Sequence, residues 1–413
     1  MLIQEEDLVV TITNDYDFID LSNIKMEWSI WTEDGTKASG VIDSLEIEPG
    51  QKKNLSLIYP SIELEKGMEV FLNLSYSLIE DEPMIEAGHI IAFDQFQLEG
   101  EGFGVKKYRV KDDGALEFKF SKSEDEHTIG YSNEKVNVVF HKEQGVITRL
   151  EYNEISLLDN PIRFNFWRAP NDNDFGHEFD KTSILWRSAG DKIVALGFTE
   201  KLSEGDLILT FELAIKVAEN DVLLGSIRYR LLSDGSIDIV YDLDFEGLNL
   251  PEIPRVGMST SINADLKQAS YFGRGPHENY VDRKRSASIG IYHREVDAFY
   301  EAYISPQENG NREDVRWLKI LSNDNLGVMI KGSPIFNFTL NPYSSEELTQ
   351  AEYGSLHHYD MPSSVTTHLY IDLCQRGLGS VDSWGAKPLE KYRILAKKFE
   401  SGFSILPIIS DNA

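Results

Sequence analysis

The sequence predicts an all-β chain of two domains, an immunoglobulin-like β-sandwich followed by a large antiparallel β-sandwich. Three observations predict it. The chain's 413 residues exceed what one ordinary hydrophobic core fills. Short runs rich in branched and aromatic residues recur, spaced about ten residues apart in the first hundred. No amphipathic helix of convincing length interrupts them, the one weak candidate lying at residues 180–188.

The first domain is expected at residues 1–98, where LVVTITN, KMEWSIWT, KASGVI, KKNLSLIY, VFLNLSYSL and HIIAFDQFQL read as strands parted by the turn signals TEDG, EPGQ and EKG. In FLNLSYSL, Leu72, Leu74 and Tyr76 alternate with Phe71, Asn73 and Ser75, so one face is apolar, as a half-buried strand requires. About seven such strands in roughly a hundred residues fit an immunoglobulin-like sandwich. Residues 99–127, rich in glycine and charge, read as a linker with one embedded strand. Residues 128–413 return to strand-like runs, among them VNVVFH, LILTFELAIKV, GSIRYRLL, SIDIVYDLDF and THLYIDL, without a break in composition. A large antiparallel sandwich of many strands is the natural solution.

Charge narrows the partners. A net charge of −29, from 69 acids against 40 bases, repels phosphate backbones and anionic lipid, so neither nucleic acid nor membrane is an expected partner. No apolar run approaches the roughly 18 to 20 residues of a membrane span, and the N-terminus lacks a basic stretch followed by an apolar one. A cytoplasmic chain is expected. Residues 7–13, DLVVTIT, already read as a strand, so Met1 is expected to open a fragment or a separately encoded part of something longer. The single cysteine, Cys374 in HLYIDLC, reads as an inert buried thiol and allows no disulfide within the chain.

Four segments carry the polar, aromatic and glycine residues of functional loops: 164–176, 272–286, 303–318 and 377–387. In YFGRGPHENYVDRKRSA, Arg274, Arg283, Lys284 and Arg285 stand among Glu278, Asp282 and the acids of residues 303–318. A network of ion pairs locking the loops together is expected there. The carboxylates Glu278 with Asp282, and Glu308 with Glu313, are expected to accept from neighbouring arginines, which lowers a pKa, the wrong direction for a general acid. No catalytic pair is therefore expected. Trp167, between Phe166 and Arg168, reads as packing, and NDND at 171–174 as turn caps or partners of Arg168 or Arg283, since the spacing of a calcium loop is missing. His277 reads either as a hydrogen-bonded loop histidine or as a sugar contact, and His357 with His358 lack a third metal ligand at a convincing spacing.

WRAPNDND, FGRGPHENYVDRKRSA and PQENGNREDVRWL closely resemble the C-terminal sandwich of the large bacterial β-galactosidases of glycoside hydrolase family 2, and AGHIIAFDQFQL resembles the end of the immunoglobulin-like domain before it. The resemblance implies that the large sandwich is a supersandwich of the galactose-mutarotase-like type. It implies further that the catalytic carboxylates belong to a (β/α)₈ barrel preceding both domains. This sequence shows no strand and helix alternation of that kind. The chain would thus be the non-catalytic C-terminal part or small subunit of a retaining β-galactosidase acting on terminal β-D-galactosides such as lactose, inactive alone, with a barrel-bearing N-terminal part or large subunit as its partner. No cofactor is expected on this chain, the family's magnesium and sodium belonging to the barrel. Trp384, in GSVDSWGAK, matches the tryptophan that stacks on a glucose or galactoside aglycone, with His277 a further substrate contact. Arg168, Arg274, Glu278, Asp282, Arg283, Glu308 and Arg312 are expected to form the structural loop network. One departure is that small subunits of two-chain members resemble the large sandwich alone. Surfaces that a barrel would cover are expected to favour self-association. Two rival readings are a free-standing carbohydrate-binding module and a mutarotase-like isomerase, the latter needing His277 or His358 as acid with Glu278 or Glu308 as base.

Overall fold

The computed structural model describes residues 2–3, 8–63, 67–99, 120–153, 155–203, 205–216, 222–379, 382 and 384–408. The chain divides into two compact units, Met1–Lys107 and Tyr108–Ala413. Strands dominate both, and among the described residues every strand pairing is antiparallel.

In the first unit, four strands lie side by side in the order Gly35–Ile42, Ile24–Thr32, Val70–Leu78, Ile90–Glu99. A second sheet pairs Leu8–Thr13 with Lys52–Leu57. Their apolar faces enclose a core that includes Ile12, Met26, Trp28, Ile30, Leu57, Leu72 and Leu74. Leu72, Leu74 and Tyr76 are buried, as their alternation requires, but so is Phe71, whose ring centroid lies 6.0 Å from that of Trp31. The strand Ile90–Glu99 contributes no buried residue to this core; of its side chains Leu98 alone packs partly against it.

The second unit contains a five-stranded and a twelve-stranded sheet. The five-stranded sheet ends in Ser121–Glu124, which the sequence reading assigned to the linker; residues 100–119 of that linker lie outside the described residues. This strand pairs with Thr128–Ser132, so the sandwich begins before residue 128. In the larger sheet the strand Gly327–Asn341 is the hub. Its first half pairs with Lys398–Ile408, its second half with Thr367–Gln375, and its other edge with Arg312–Leu321. Between the sheets lies one apolar core, with Phe140, Phe211 and Tyr229 in mutual ring contact. Each such side chain, fully buried, contributes about 1.5–3 kcal/mol.

Several local readings need correction. Residues 272–275 and 312–318, read as loop, lie in the strands Gln268–Gly275 and Arg312–Leu321. The weak helix near 180–188 is a four-residue turn of helix, Phe179–Thr182, followed by a 3₁₀ turn, Ile184–Ser188. A nine-residue helix, Ser345–Tyr353, was not anticipated. Ser344 accepts from the Glu347 N–H and Glu347 reaches back to the Ser344 N–H, a reciprocal cap that satisfies two otherwise orphan donors.

Candidate functional site

The segment at 377–387 leaves the strand Thr367–Gln375 and is tied down from several sides. Arg168, buried, donates to both carboxylate oxygens of Asp174, at 3.0 and 2.9 Å, and to the backbone oxygens of Arg376 and Gly377. Arg376 shares Asp174 at 3.2 Å, donates to Glu252 at 2.9 Å, meets the His177 ring nitrogen at 3.1 Å and lies 3.9 Å over the Phe179 ring. Arg393 completes the set on Glu252. Burial raises the Glu252 carboxyl, but Arg393 and Arg376 outweigh it and hold it below the usual range. Burial, reinforced by the Arg376 charge, lowers His177, favouring its neutral form.

Backbone contacts then shape the loop. Asn171 and Asn173 each donate to the Leu378 oxygen, at 3.2 and 3.3 Å. Asn171 also caps the short helix Asp172–Gly176 through the Asp174 N–H at 2.9 Å, which holds both asparagines toward residue 378. The Asp282 carboxylate accepts from Gly379 N–H at 3.0 Å, and the Asp382 carboxylate from the N–H groups of Trp384 and Ala386, at 2.9 and 3.2 Å. Gly379 and Gly385 both have positive φ, at 81° and 108°. At Gly385 an added Cβ would come within 2.7 Å of the Gly176 oxygen, so the loop passes tightly against the helix. Trp384 itself is 90% exposed.

A second cluster joins residues 272–286 to 303–318. Glu278 accepts from Arg283 at 2.7 Å, from the Tyr303 hydroxyl, and from Gly310 N–H at 2.8 Å. Asn279 and Asn311 pair through Asn279 N–H to the Asn311 oxygen, 2.9 Å, and Asn311 side chain to the Asn279 oxygen, 2.8 Å. Arg274 and Lys284 both pair with Asp314, and Arg312, buried, donates to Gly310, Asn311 and Pro276 oxygens while facing the Phe299 ring at 5.1 Å. Beneath lies Arg255, fully buried, against Glu308 at 2.9 Å and Asp372 at 3.1 Å. Burial pushes Asp372 up to about 8, Arg255 notwithstanding.

Of the residues singled out from sequence, Arg168 and Asp282 meet around the tryptophan loop, and Arg274, Glu278, Arg283 and Arg312 around the second cluster. Glu308 pairs with Arg255, a partner the reading of the loops did not contain. Asp282 holds a backbone N–H rather than an arginine. Arg285 is exposed and, among the described residues, has no carboxylate within 4.0 Å. Glu313 departs from expectation in direction: burial raises it to about 7, because Lys284 at 3.8 Å compensates too little. Its buried position behind Asn279 and Asn311 gives a substrate no approach. His277 meets the Ser286 hydroxyl at 2.9 Å, and Trp167 is buried with its indole N–H on Thr349, at 3.1 Å. Of the bases an isomerase would need, Glu278 has both oxygens engaged and Glu308 has one held by Arg255. Burial, with Asp372 nearby, pushes the Cys374 thiol up to about 12, the inert state expected of it, although the residue is only partly covered. Sequence reasoning missed Glu252, Arg255, Arg376 and Asp372, which sit within or beside strand-like runs and carry no local signal of pairing across the fold.

Among the described residues no group of three or more His, Cys, Asp or Glu is placed to hold a metal ion, and no helix is long and apolar enough to cross a membrane. Chemically, the arrangement offers a flat exposed indole whose backbone N–H, with that of Ala386, is held by the Asp382 carboxylate.

Comparison with known proteins follows the same division. Residues 132–405 match the family described as beta galactosidase small chain, and residues 10–99 match beta-galactosidase domain 4. A β-galactosidase of Priestia megaterium is 30% identical over 399 residues, 96% of this chain and 37% of the relative. A β-galactosidase of Actinobacillus pleuropneumoniae is 30% identical over 328 residues, 78% of this chain and 30% of the relative. The chain thus spans about a third of the length of these relatives. Among solved structures, a galactose mutarotase related enzyme from Lactobacillus acidophilus aligns with a TM-score of 0.40 and 10% identity, over 71% of this chain and 99% of that one.

Proposed function

Because the chain belongs to the β-galactosidase small-chain family, we propose that it is the non-catalytic C-terminal part or small subunit of a retaining β-galactosidase of glycoside hydrolase family 2. The whole enzyme hydrolyses terminal β-D-galactosides such as lactose in the cytoplasm, and its catalytic carboxylates, magnesium and sodium reside in the barrel-bearing partner. This chain completes the mouth of the active site, where Trp384 stacks on the glucose or other aglycone.

The observation that carries this reading is an indole 90% exposed on a loop fixed by Asp382 on its own segment and by Asn171, Asn173 and Asp282 from others. An apolar surface of that size is normally buried, and hydrogen bonds on the backbone at 378, 379 and 384 lower the entropy lost when a sugar is held against it. The engagement of both Glu278 oxygens, and of one Glu308 oxygen by Arg255, supports a binding role rather than a bond-breaking one.

The test is hydrolysis of a chromogenic β-galactoside by the chain alone and after mixing with the barrel-bearing part. Inactivity alone and turnover on mixing is the expected result; turnover by the pure chain alone would overturn it. In the assembled enzyme, Trp384→Ala is expected to weaken glucose as an acceptor by about tenfold, equivalent to about 1.4 kcal/mol, with the galactosylation rate on an aryl galactoside changed less than threefold.

A further inference from the structure

The hairpin joining the strands Val70–Leu78 and Ile90–Glu99 leaves apolar surface in water on an otherwise polar flank. Met84, Ile85, Ile91, Phe93 and Phe96 are all exposed, Phe93 at 46% and Phe96 at 49%. The register explains why. Phe96 lies opposite Leu72, on the face that turns toward the core, and Phe93 opposite Ser75, on the other face. The covering sheet, Leu8–Thr13 with Lys52–Leu57, has just two strands, and its core contacts do not extend to the outermost strand. Both faces of Ile90–Glu99 therefore remain open, and among the described residues no strand pairs its outer edge. Exposed apolar side chains along a ten-residue edge strand invite pairing, and proteins ordinarily blunt such edges with lysine, proline or a cover.

Charge selects the occupant. Glu80, Asp81, Glu82, Glu86 and Asp94 rim the patch, all exposed, and none has a lysine or arginine within 4.0 Å among the described residues. Two copies of this chain meeting through the flank would bring ten carboxylates together, five from each, none of them paired with a lysine or arginine within 4.0 Å among the described residues. Like-charge repulsion opposes that arrangement. A partner with an apolar centre and a lysine- or arginine-rich rim meets no such cost. About two thirds of the length of the curated relatives is not represented in this chain, which leaves ample protein surface to supply it.

We propose that this hairpin flank is a docking surface for the catalytic portion of the enzyme, which covers Met84, Ile91, Phe93 and Phe96 and presents basic side chains to the acidic rim. The identity of the occupant rests on the function proposed above, whereas the existence of the surface does not.

Hydroxyl-radical labelling read by mass spectrometry tests it, comparing the 413-residue chain alone with the same chain assembled with the catalytic portion. Met84, Phe93 and Phe96 are expected to be labelled at least fivefold more slowly in the assembly, while Phe18, exposed elsewhere on the same unit, keeps its rate. Equal labelling in an assembly that hydrolyses β-galactosides would overturn the docking surface and leave the proposed function standing. Protection in an assembly without activity would do the reverse. Concentration-dependent protection in the chain alone would assign the flank to a second copy and overturn the proposal. The paired substitution Glu80→Lys with Asp94→Lys is expected to weaken assembly at least tenfold at low salt with the chain's own stability unchanged, and stronger assembly would refute the basic rim.

Discussion

Asp174 shows how much of the site's geometry rests on single buried charges. It is fully buried and holds two buried guanidinium groups, Arg168 and Arg376, so its removal leaves both cations short of a partner. Asp174→Asn is expected to destabilise the larger unit by about 3–5 kcal/mol, read as a lower urea midpoint with unchanged slope. Glu313 gives the opposite kind of effect. Its carboxyl stands at about 7 in the folded chain, against roughly 4.3 unfolded, so the folded state holds the proton more tightly. The resulting stability is complete below about pH 4.3 and is lost as pH rises through about 7. The difference in unfolding free energy between the native chain and Glu313→Gln is therefore expected to fall across that window by on the order of 3 kcal/mol. A pH series of denaturant titrations on the two proteins checks it, and a difference that stays flat or rises with pH would contradict the burial argument.

Among the elements, the helix Ser345–Tyr353 carries the clearest local signature. Its cap is built from Ser344 and Glu347, and Ser344→Ala is expected to cost about 1 kcal/mol, seen as a modest fall in melting temperature. The S-x-x-E spacing is visible in the sequence, yet the helix escaped notice because the surrounding strand-like runs outweighed nine residues of weak amphipathicity. Strands with strict alternation, such as Val136–His141 and Ile237–Asp244, were legible because alternate side chains face a core. The strand Arg312–Leu321 was not, since its first residues serve as ligands in a polar network rather than as core. The same reason separates what could be read of the site. Arg168 with Asp174 lies within one short segment, whereas Arg376 with Glu252 joins positions 124 residues apart, which no local pattern reveals.

At the scale of the whole molecule, the all-β reading was legible because strand spacing and the absence of helical periodicity agreed. Each unit has its own apolar core, and the two cores share no residue. Calorimetry is therefore expected to resolve two transitions, with Trp28→Ala lowering one and sparing the other. A single transition that shifts as a whole would show that the units unfold as one. The larger unit also sets terms for anyone who would exchange its loops. The backbone around Leu378 and Gly379 hangs from side chains at 171, 173 and 282, drawn from two distant stretches of sequence. A tryptophan loop transplanted from a relative would arrive without its scaffolding unless those three positions travelled with it, so the loop's conformation is encoded by a scattered set of residues and not by one contiguous cassette.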